Sequence, residues 1–308
     1  MRAILDIALP FFAIVFIGFA ARRARLLDDA AVAGLNTFVL YIALPPLLFA
    51  KVATAPLDRL FDPRWFAAFY GVGLTLFAVV FLGSRAAGAE PSRAAFQALA
   101  SVWTNSGYMG IPLLLTAFGD RAAIPAVLAL VFDNLITAPL TLAILEGRSG
   151  GNLRRTASQV LRGLSRHPLI LAVVPGFLLA LSGLELPRPL FAFTELAGAA
   201  AAPAALVALG ASLVGVPLRE AGREVVLLTL VKLLVHPALT AVVVFRLLPL
   251  PPDLAVPTVV TTALPTGAMV YVLAQRYRVF VDRASTIVLT THLLSVVTLS
   301  LLLALLTG

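Results

Sequence analysis

Runs of about 20 predominantly apolar residues follow one another along almost the whole chain. Each has the length at which an α-helix crosses the hydrocarbon of a bilayer. About ten such spans are expected, near residues 3–21, 31–51, 64–84, 93–118, 121–145, 167–184, 188–214, 224–246, 254–275 and 284–307. In hydrocarbon an unsatisfied backbone amide costs several kcal/mol, so backbone facing lipid must be helical. The expected fold class is therefore an all-α polytopic membrane protein.

Composition agrees. Hydrophobic residues make up 60% of the 308 and charged residues 12%, against roughly a quarter charged in a soluble domain. The spans nearly consume the chain and leave no room for a separate soluble domain. Met1 to Ala21 differs from a secretory signal because its basic cluster, Arg22, Arg23 and Arg25, follows the apolar run rather than preceding it. It reads as an uncleaved first span. Cysteine is absent, which excludes disulfides and thiolate metal sites and identifies no compartment. A net charge of +8 on a soluble chain would raise nucleic-acid binding. Here the basic residues sit in short links between spans, so no nucleic-acid partner is expected.

Those basic residues are unevenly shared. One side of the membrane would carry Arg22, Arg23, Arg25, Arg85, Arg93, Arg148, Arg154, Arg155, Arg162, Arg166, Arg219, Arg223, Arg276, Arg278 and Arg283. The other would carry Arg2, Lys51, Arg59, Arg64, Arg121, Arg188 and Arg246. The positive-inside rule places the first set in the cytoplasm, with both termini outside and the central loop inside. The expected location is a bacterial inner (plasma) membrane. The Arg-rich central loop is explained by the same rule without a specific lipid contact.

Two spans, the fourth and the ninth, are broken. The first break runs Thr104-Asn105-Ser106-Gly107-Tyr108-Met109-Gly110-Ile111-Pro112, and the second Thr261-Thr262-Ala263-Leu264-Pro265-Thr266-Gly267-Ala268. Polar, Gly/Pro-interrupted segments at corresponding places in two halves point to backbone that lines a cavity. The candidate substrate-binding residues are Thr104, Asn105, Ser106, Gly107, Tyr108 and Pro112 in the first break, and Pro265, Thr266 and Gly267 in the second. Asn offers two donors and an acceptor, enough to hold free backbone groups and touch a carboxylate. Broken-helix N-termini add partial positive charge suited to an organic anion. The plainer reading is a kinked helix whose polar groups satisfy each other. No Asn stands opposite Asn105 in the second break, and Thr266 offers less than an amide. Met269 and Tyr271 are expected as ordinary packing.

An odd number of spans per half inverts the second half against the first. Asp120-Arg121-Ala122 opens span 5 as Asp282-Arg283-Ala284 opens span 10, and at the same offset Thr104 matches Thr266. Leu9-Pro10 resembles Val174-Pro175, and Pro45 has a counterpart in Pro203. The expected organisation is an inverted repeat of five plus five spans, with broken, crossing spans 4 and 9. The first repeat covers 1–145, a cytoplasmic linker 146–166, and the second repeat 167–308.

Several pieces also carry a family likeness. They are Pro10-Phe11-Phe12 through Gly18, Arg22-Arg23, Leu27-Asp28, Leu35-Asn36 and Ala43-Leu44-Pro45-Pro46-Leu47-Leu48-Phe49. The likeness continues through Asn105-Ser106-Gly107-Tyr108-Met109-Gly110-Ile111-Pro112-Leu113, Ala208-Leu209-Gly210-Ala211-Ser212-Leu213, Lys232-Leu233 with Pro237, and Ala274-Gln275-Arg276-Tyr277. Over nearly its whole length the chain resembles the auxin efflux carrier family, within the wider group of bile acid/sodium symporter-like carriers. The resemblance implies a ten-helix secondary carrier with a panel and a crossed-helix core. It also implies a substrate such as auxin or a small carboxylate like malate or malonate.

The charges inside spans are few. Asp133 is the lone acid near the middle of a span, with Asn134 beside it and Thr137 one turn on. Such a group is a functional candidate by default, and low-dielectric surroundings favour its neutral form, so proton uptake and release is one role for it. The other role is a protonated, hydrogen-bonded Asp of purely structural use. Lys232 and His236 share one face of span 8. Lys232 either snorkels to the cytoplasmic end or counters Asp133 or the bound anion. His236 titrates in a useful range but reads more simply as a packing residue, and His292 is less informative still.

The function expected is secondary active transport of a small organic anion by alternating access. No cofactor or metal is expected; H⁺ is the coupling ion that Asp133 suggests, and Na⁺ stays open because backbone carbonyls can hold it. Partners are the anion, membrane lipids and, through small residues such as Gly198 to Ala205 that allow close helix contact, a homodimer. The alternatives are a cation/proton antiporter, a membrane sensor without flux, and an intramembrane enzyme. No P-loop pattern and no His-Glu-x-x-His occur, and the three histidines, His167, His236 and His292, have no metal-ligand spacing.

Overall fold

A computed structural model describes residues 8–56, 62–119, 122–148, 158, 161–163, 165–215 and 222–307. Arg2, Asp120, Arg121, Arg59, Arg154, Arg155 and Arg219, with most of the linker 146–166, lie outside the described residues. The described chain is helical: α1 (Leu9–Arg23), α2 (Asp29–Ala53), α3 (Pro63–Ala86), α4 (Pro91–Val102), α5 (Ser106–Phe118) and α6 (Ile124–Glu146). There follow α7 (Pro168–Ser182), α8 (Arg188–Ser212), α9 (Arg223–Leu247), α10 (Pro252–Thr262), α11 (Met269–Tyr277) and α12 (Val281–Thr307). Among the described residues α2, α3, α6, α8, α9 and α12 are each long and apolar enough to cross a membrane. Large apolar side chains such as Phe16, Ile17, Leu82, Leu178, Leu227 and Leu301 remain exposed on the outside of the bundle. A soluble protein rarely shows so many, and in lipid they meet a matching solvent. The chain is a polytopic α-helical membrane protein.

Proline starts many of these helices. Pro63, Pro91, Pro168, Pro189 and Pro252 stand in the first turn of α3, α4, α7, α8 and α10. There the missing N–H costs nothing, because first-turn amides have no partner inside a helix. Carboxylates cap the starts of α2 and α3. Asp28 accepts from Ala31 N at 2.7 Å, and Asp62 from Arg64 N at 2.9 Å.

The helices sort into two groups by packing. α1 lies against α8, α7 against α2, and α8 also crosses α2. The remaining helices pack around the breaks: α3 on α4 and α9, α10 on α9 and α6, α4 on α6, and α12 on α9 and α11. The groups meet where α5 touches α8 and α6 touches α2. Glycines set the closest approaches within the first group. A Cβ on Gly18 would lie 2.2 Å from Val207 O, one on Gly210 1.9 Å from Val15 O, and one on Gly176 2.7 Å from Phe49 O. The small residues expected to serve a homodimer are partly engaged inside the chain, since Gly198 packs on Leu47.

Pro45 and Pro203 each lie past the middle of a 25-residue helix.

Candidate functional site

The two breaks cross each other. Past α4 the chain is extended at Trp103, and past α10 it turns through Pro265. Thr104 and Thr266 then pair as an isolated antiparallel bridge. Asn105 N–H donates to Pro265 O at 2.9 Å, and Gly267 N–H to Trp103 O at 3.4 Å. Backbone that would be orphaned in each broken helix is thus satisfied by the other, which hydrocarbon demands. The approach requires glycine. A Cβ on Gly267 would lie 2.7 Å from Trp103 Cδ1, and one on Gly110 2.6 Å from Leu264 Cδ1.

Side chains of neighbouring helices hold the crossing from both sides, and they differ. Thr104 donates to Asp133 Oδ2 through both its N–H and its hydroxyl, at 3.1 Å each. Ser106 Oγ is hydrogen-bonded to Thr104 Oγ1. On the other strand Thr266 N–H donates to a hydroxyl, Thr291 Oγ1 at 3.2 Å, and Thr266 Oγ1 donates to Ala100 O at 2.8 Å. Lys232 Nζ donates to Thr262 O at 3.1 Å, a carbonyl at the negative end of α10. So an acidic side chain supports the first break and a basic one the second.

Beside the crossing is a cavity of about 290 Å³. Its wall combines Thr104, Asn105, Ser106, Gly107 and Tyr108 with Gly267, Ala268 and Met269, so the first turns of α5 and α11 both border it. By helix geometry those first-turn amides have no partner inside the helix. They bring the positive ends of two half-helices to one space. The facing wall comes from Asn36 and Leu40 of α2, Leu209 and Ser212 of α8, and His167 just before α7. Asn36, Ser212 and His167 all lie toward the helix ends that bear the Arg-rich links. At that end Arg93 of α4 and Arg283 of α12 both pair with Glu224 of α9.

The predicted residues separate into wall and scaffold. Thr104, Asn105, Ser106, Gly107, Tyr108, Gly267, Asp133 and Asn134 border the cavity, as does Met269. Pro112, Pro265 and Thr266 stand behind it: Pro112 opens the regular α-helical part of α5, Pro265 accepts from Asn105, and Thr266 is fully engaged in the crossing. Asn134 Nδ2 bonds back to Leu130 O at 2.8 Å. Lys232 is 0% exposed, so it does not snorkel. It reaches inward to Thr262, touches His236 Nδ1 at 3.4 Å, and makes no direct ion pair with Asp133 among the described residues. His236 Nε2 is buried without a partner among the described residues, so the histidine is not fully satisfied by packing.

Sequence reasoning passed over four contributors. Asn36 and Ser212 stood only within the pieces that carry the family likeness and His167 only among the histidines, because only packing brings their helix ends to the breaks. His292 is the fourth. Its Nε2 lies 2.9 Å from Asn105 Nδ2, across 187 residues of sequence. The cue available was a polar ring in the middle of the last span.

Comparison with known proteins follows the geometry. The family described as "Membrane transport protein" matches residues 3–303. A protein of Rhizobium meliloti (strain 1021) named "Putative malonate transporter" is 34% identical over 307 residues, covering 97% of this chain and 95% of that protein. An "Uncharacterized transporter" of Methanothermobacter thermautotrophicus is 25% identical over 301 residues, covering 96% of each.

Proposed function

This chain belongs to the membrane transport protein (auxin efflux carrier) family, and from that premise we propose that it is a secondary carrier of a small organic anion. The observation that carries the reading is the cavity bordered by two half-helix N-termini at the crossing, Ser106–Tyr108 and Gly267–Met269. Unpaired first-turn amides and aligned dipoles bind a carboxylate without needing a fixed cation on the wall. About 290 Å³ is at the small end of ligand sites, roughly 300–1,000 Å³, which suits a carboxylate of a few carbons. Malonate, the substrate in the name of the 34%-identical relative, is the first candidate.

The two helix groups supply the moving parts. α1, α2, α7 and α8 form a panel against which the crossing and its supports rock. The order of helices supports an inverted repeat: 25 residues in α2 and 25 in α8, then 24 in α3 and 25 in α9, with a broken pair next in both halves. So does the exchanged packing of α1 on α8 and α7 on α2. With the Arg-rich end in the cytoplasm by the positive-inside rule, the cavity of this conformation faces inward. The proton gradient is the driving force in this reading, and the chain is a carrier rather than an enzyme.

The test is counterflow of radiolabelled malonate into proteoliposomes holding purified protein, with Asn105→Ala alongside. Wild type should exchange malonate, and Asn105→Ala should fall at least tenfold. Absence of exchange across malonate and a panel of other mono- and dicarboxylates, from folded protein, would refute the carrier reading.

A further inference from the structure

The hydrogen bonds of Asn105 single out one group that can link a proton to the anion. His292 of α12 is 5% exposed, and its Nδ1 lies 2.7 Å from Val288 O one turn back. A carbonyl oxygen only accepts, so Nδ1 carries a hydrogen. In the neutral ring Nε2 then carries none and must accept. The atom facing it at 2.9 Å is Asn105 Nδ2, which donates. This fixes the amide. Nδ2 is turned to the ring, and Oδ1 has no hydrogen-bond partner among the described residues, although Asn105 borders the cavity. An amide oxygen offers a carboxylate nothing but repulsion.

A proton on the ring reverses the arrangement. With hydrogens on both nitrogens, Nε2 donates, and only Oδ1 of Asn105 can receive it. A half-turn of the amide brings Oδ1 to the ring and releases Nδ2 with its two hydrogens toward the cavity. We propose that one proton on His292 turns Asn105 from an acceptor into a donor, and that this rotation couples proton binding to anion binding. The bookkeeping of atoms is simple: one N–H bond forms on Nε2, no other covalent bond changes, and the proton and anion are released together. This deepens the carrier reading and rests on it.

Among the described residues no charged side chain is hydrogen-bonded to the ring. Around His292, α1 presents Phe12, Val15, Phe16 and Phe19, α8 Leu209 with Leu213 just past its end, and α5 Met109, at a small apolar cavity of about 130 Å³. On α9, Lys232 donates to Thr262 O and lies 3.4 Å from His236 Nδ1, while His236 Nε2 has no partner among the described residues, and Glu224 pairs with Arg93 of α4 and Arg283 of α12 at the Arg-rich end. Asp282 stands in the first turn of α12 at that same end, its backbone carbonyl accepting from Ser285 and Thr286. Arg276 and Tyr277 of α11 lie at the end of their helix, and Asp253 at the opposite start of α10. Asp133 of α6 is engaged by Thr104 and by Thr137, so its carboxylate already has a structural task that His292 lacks.

Calorimetric titration of the purified full chain with malonate decides the matter, in two buffers of different ionisation enthalpy between about pH 7 and 8. Malonate is fully ionised there, so protons taken up belong to the protein. Wild type should take up close to one proton per malonate and lose about tenfold in affinity across that unit, as linkage requires. His292→Gln keeps a hydrogen-bonding side chain but cannot titrate, and its affinity should be flat with pH and its uptake near zero. Histidine is present only three times, so ¹⁵N-histidine spectra of wild type give a measurement independent of that variant's folding. The His292 ring should pass from the neutral Nδ1–H tautomer to imidazolium when malonate saturates the site. Malonate binding without proton uptake, or uptake kept in His292→Gln and lost in Asp133→Asn, overturns the coupling and leaves the carrier standing. No binding of any carboxylate overturns both.

Discussion

Adding one methyl group at Gly267 tests whether the paired breaks, rather than their polar side chains alone, make the site. A Cβ there would lie 2.7 Å from Trp103 Cδ1, 2.9 Å from Trp103 Nε1 and 3.0 Å from Thr104 O. Ordinary contact begins near 3.4 Å, so the indole must retreat by about 0.7 Å and the Thr104 carbonyl by about 0.4 Å. Trp103 is buried in an apolar cluster with Phe96, Leu99 and Val270, and such a neighbour does not yield freely. Opening the strands also stretches Asn105 N–H to Pro265 O, now 2.9 Å, and Gly267 N–H to Trp103 O, already 3.4 Å. Overpacking costs about 1–3 kcal/mol, and each buried backbone group left unpaired about 1–3 kcal/mol. A total of about 3 kcal/mol corresponds to roughly a hundredfold change in an equilibrium constant. The matched control is Gly107→Ala, whose Cβ meets only the flexible tip of Leu130, at 3.3 Å. Alanine in a helix gains up to about 1 kcal/mol over glycine, which offsets that contact. Thermal unfolding in detergent and malonate exchange in proteoliposomes should both separate the variants. Gly267→Ala should unfold several degrees lower and lose at least tenfold in exchange, while Gly107→Ala stays near wild type in stability. Equal stability of the two would refute the claim that close approach at the crossing requires glycine.

Two further outcomes follow from the same reasoning. Gly210→Ala pushes a methyl to 1.9 Å from Val15 O, whereas Gly71→Ala meets nothing within 4 Å; unfolding midpoints should fall for the first and hold or rise for the second, and a stable Gly210→Ala would disprove the α1–α8 contact. Lys232→Met removes the donor to Thr262 O and leaves that buried carbonyl without this partner, a loss of about 1–3 kcal/mol that should lower the unfolding midpoint; a midpoint raised in the same assay would show that the lysine's hydrogen bond does not hold the end of α10.

The fold was legible because bilayer thickness is a severe filter. Apolar length alone located the spans, and the expected 31–51, 64–84, 188–214 and 224–246 fall on α2, α3, α8 and α9 within a few residues. The breaks were legible for a similar reason, since Asn105 with Gly107 and Pro265 with Gly267 cannot continue a lipid-facing helix. The snorkelling alternative for Lys232 failed because depth along a span does not reveal which face of the helix meets protein.

The site was less legible than the fold, and the reason lies in how its parts are divided. Thr104 and Thr266 are related at one sequence offset and do meet in the structure. Their supports are not related, since the first amide is received by Asp133 and the second by Thr291. Two strands that pair with each other need only matched backbones, so any residue tolerating the extended conformation serves. In the coupling proposed above, an anion in the cavity needs a donor that can be presented and withdrawn, and that requires one side chain with two faces. Asn105 has them and Thr266, with its hydroxyl bound to Ala100, does not. On that proposal the missing second asparagine reflects a division of labour: the second break closes the backbone, and the first, held between His292 and the cavity, is where binding would be controlled.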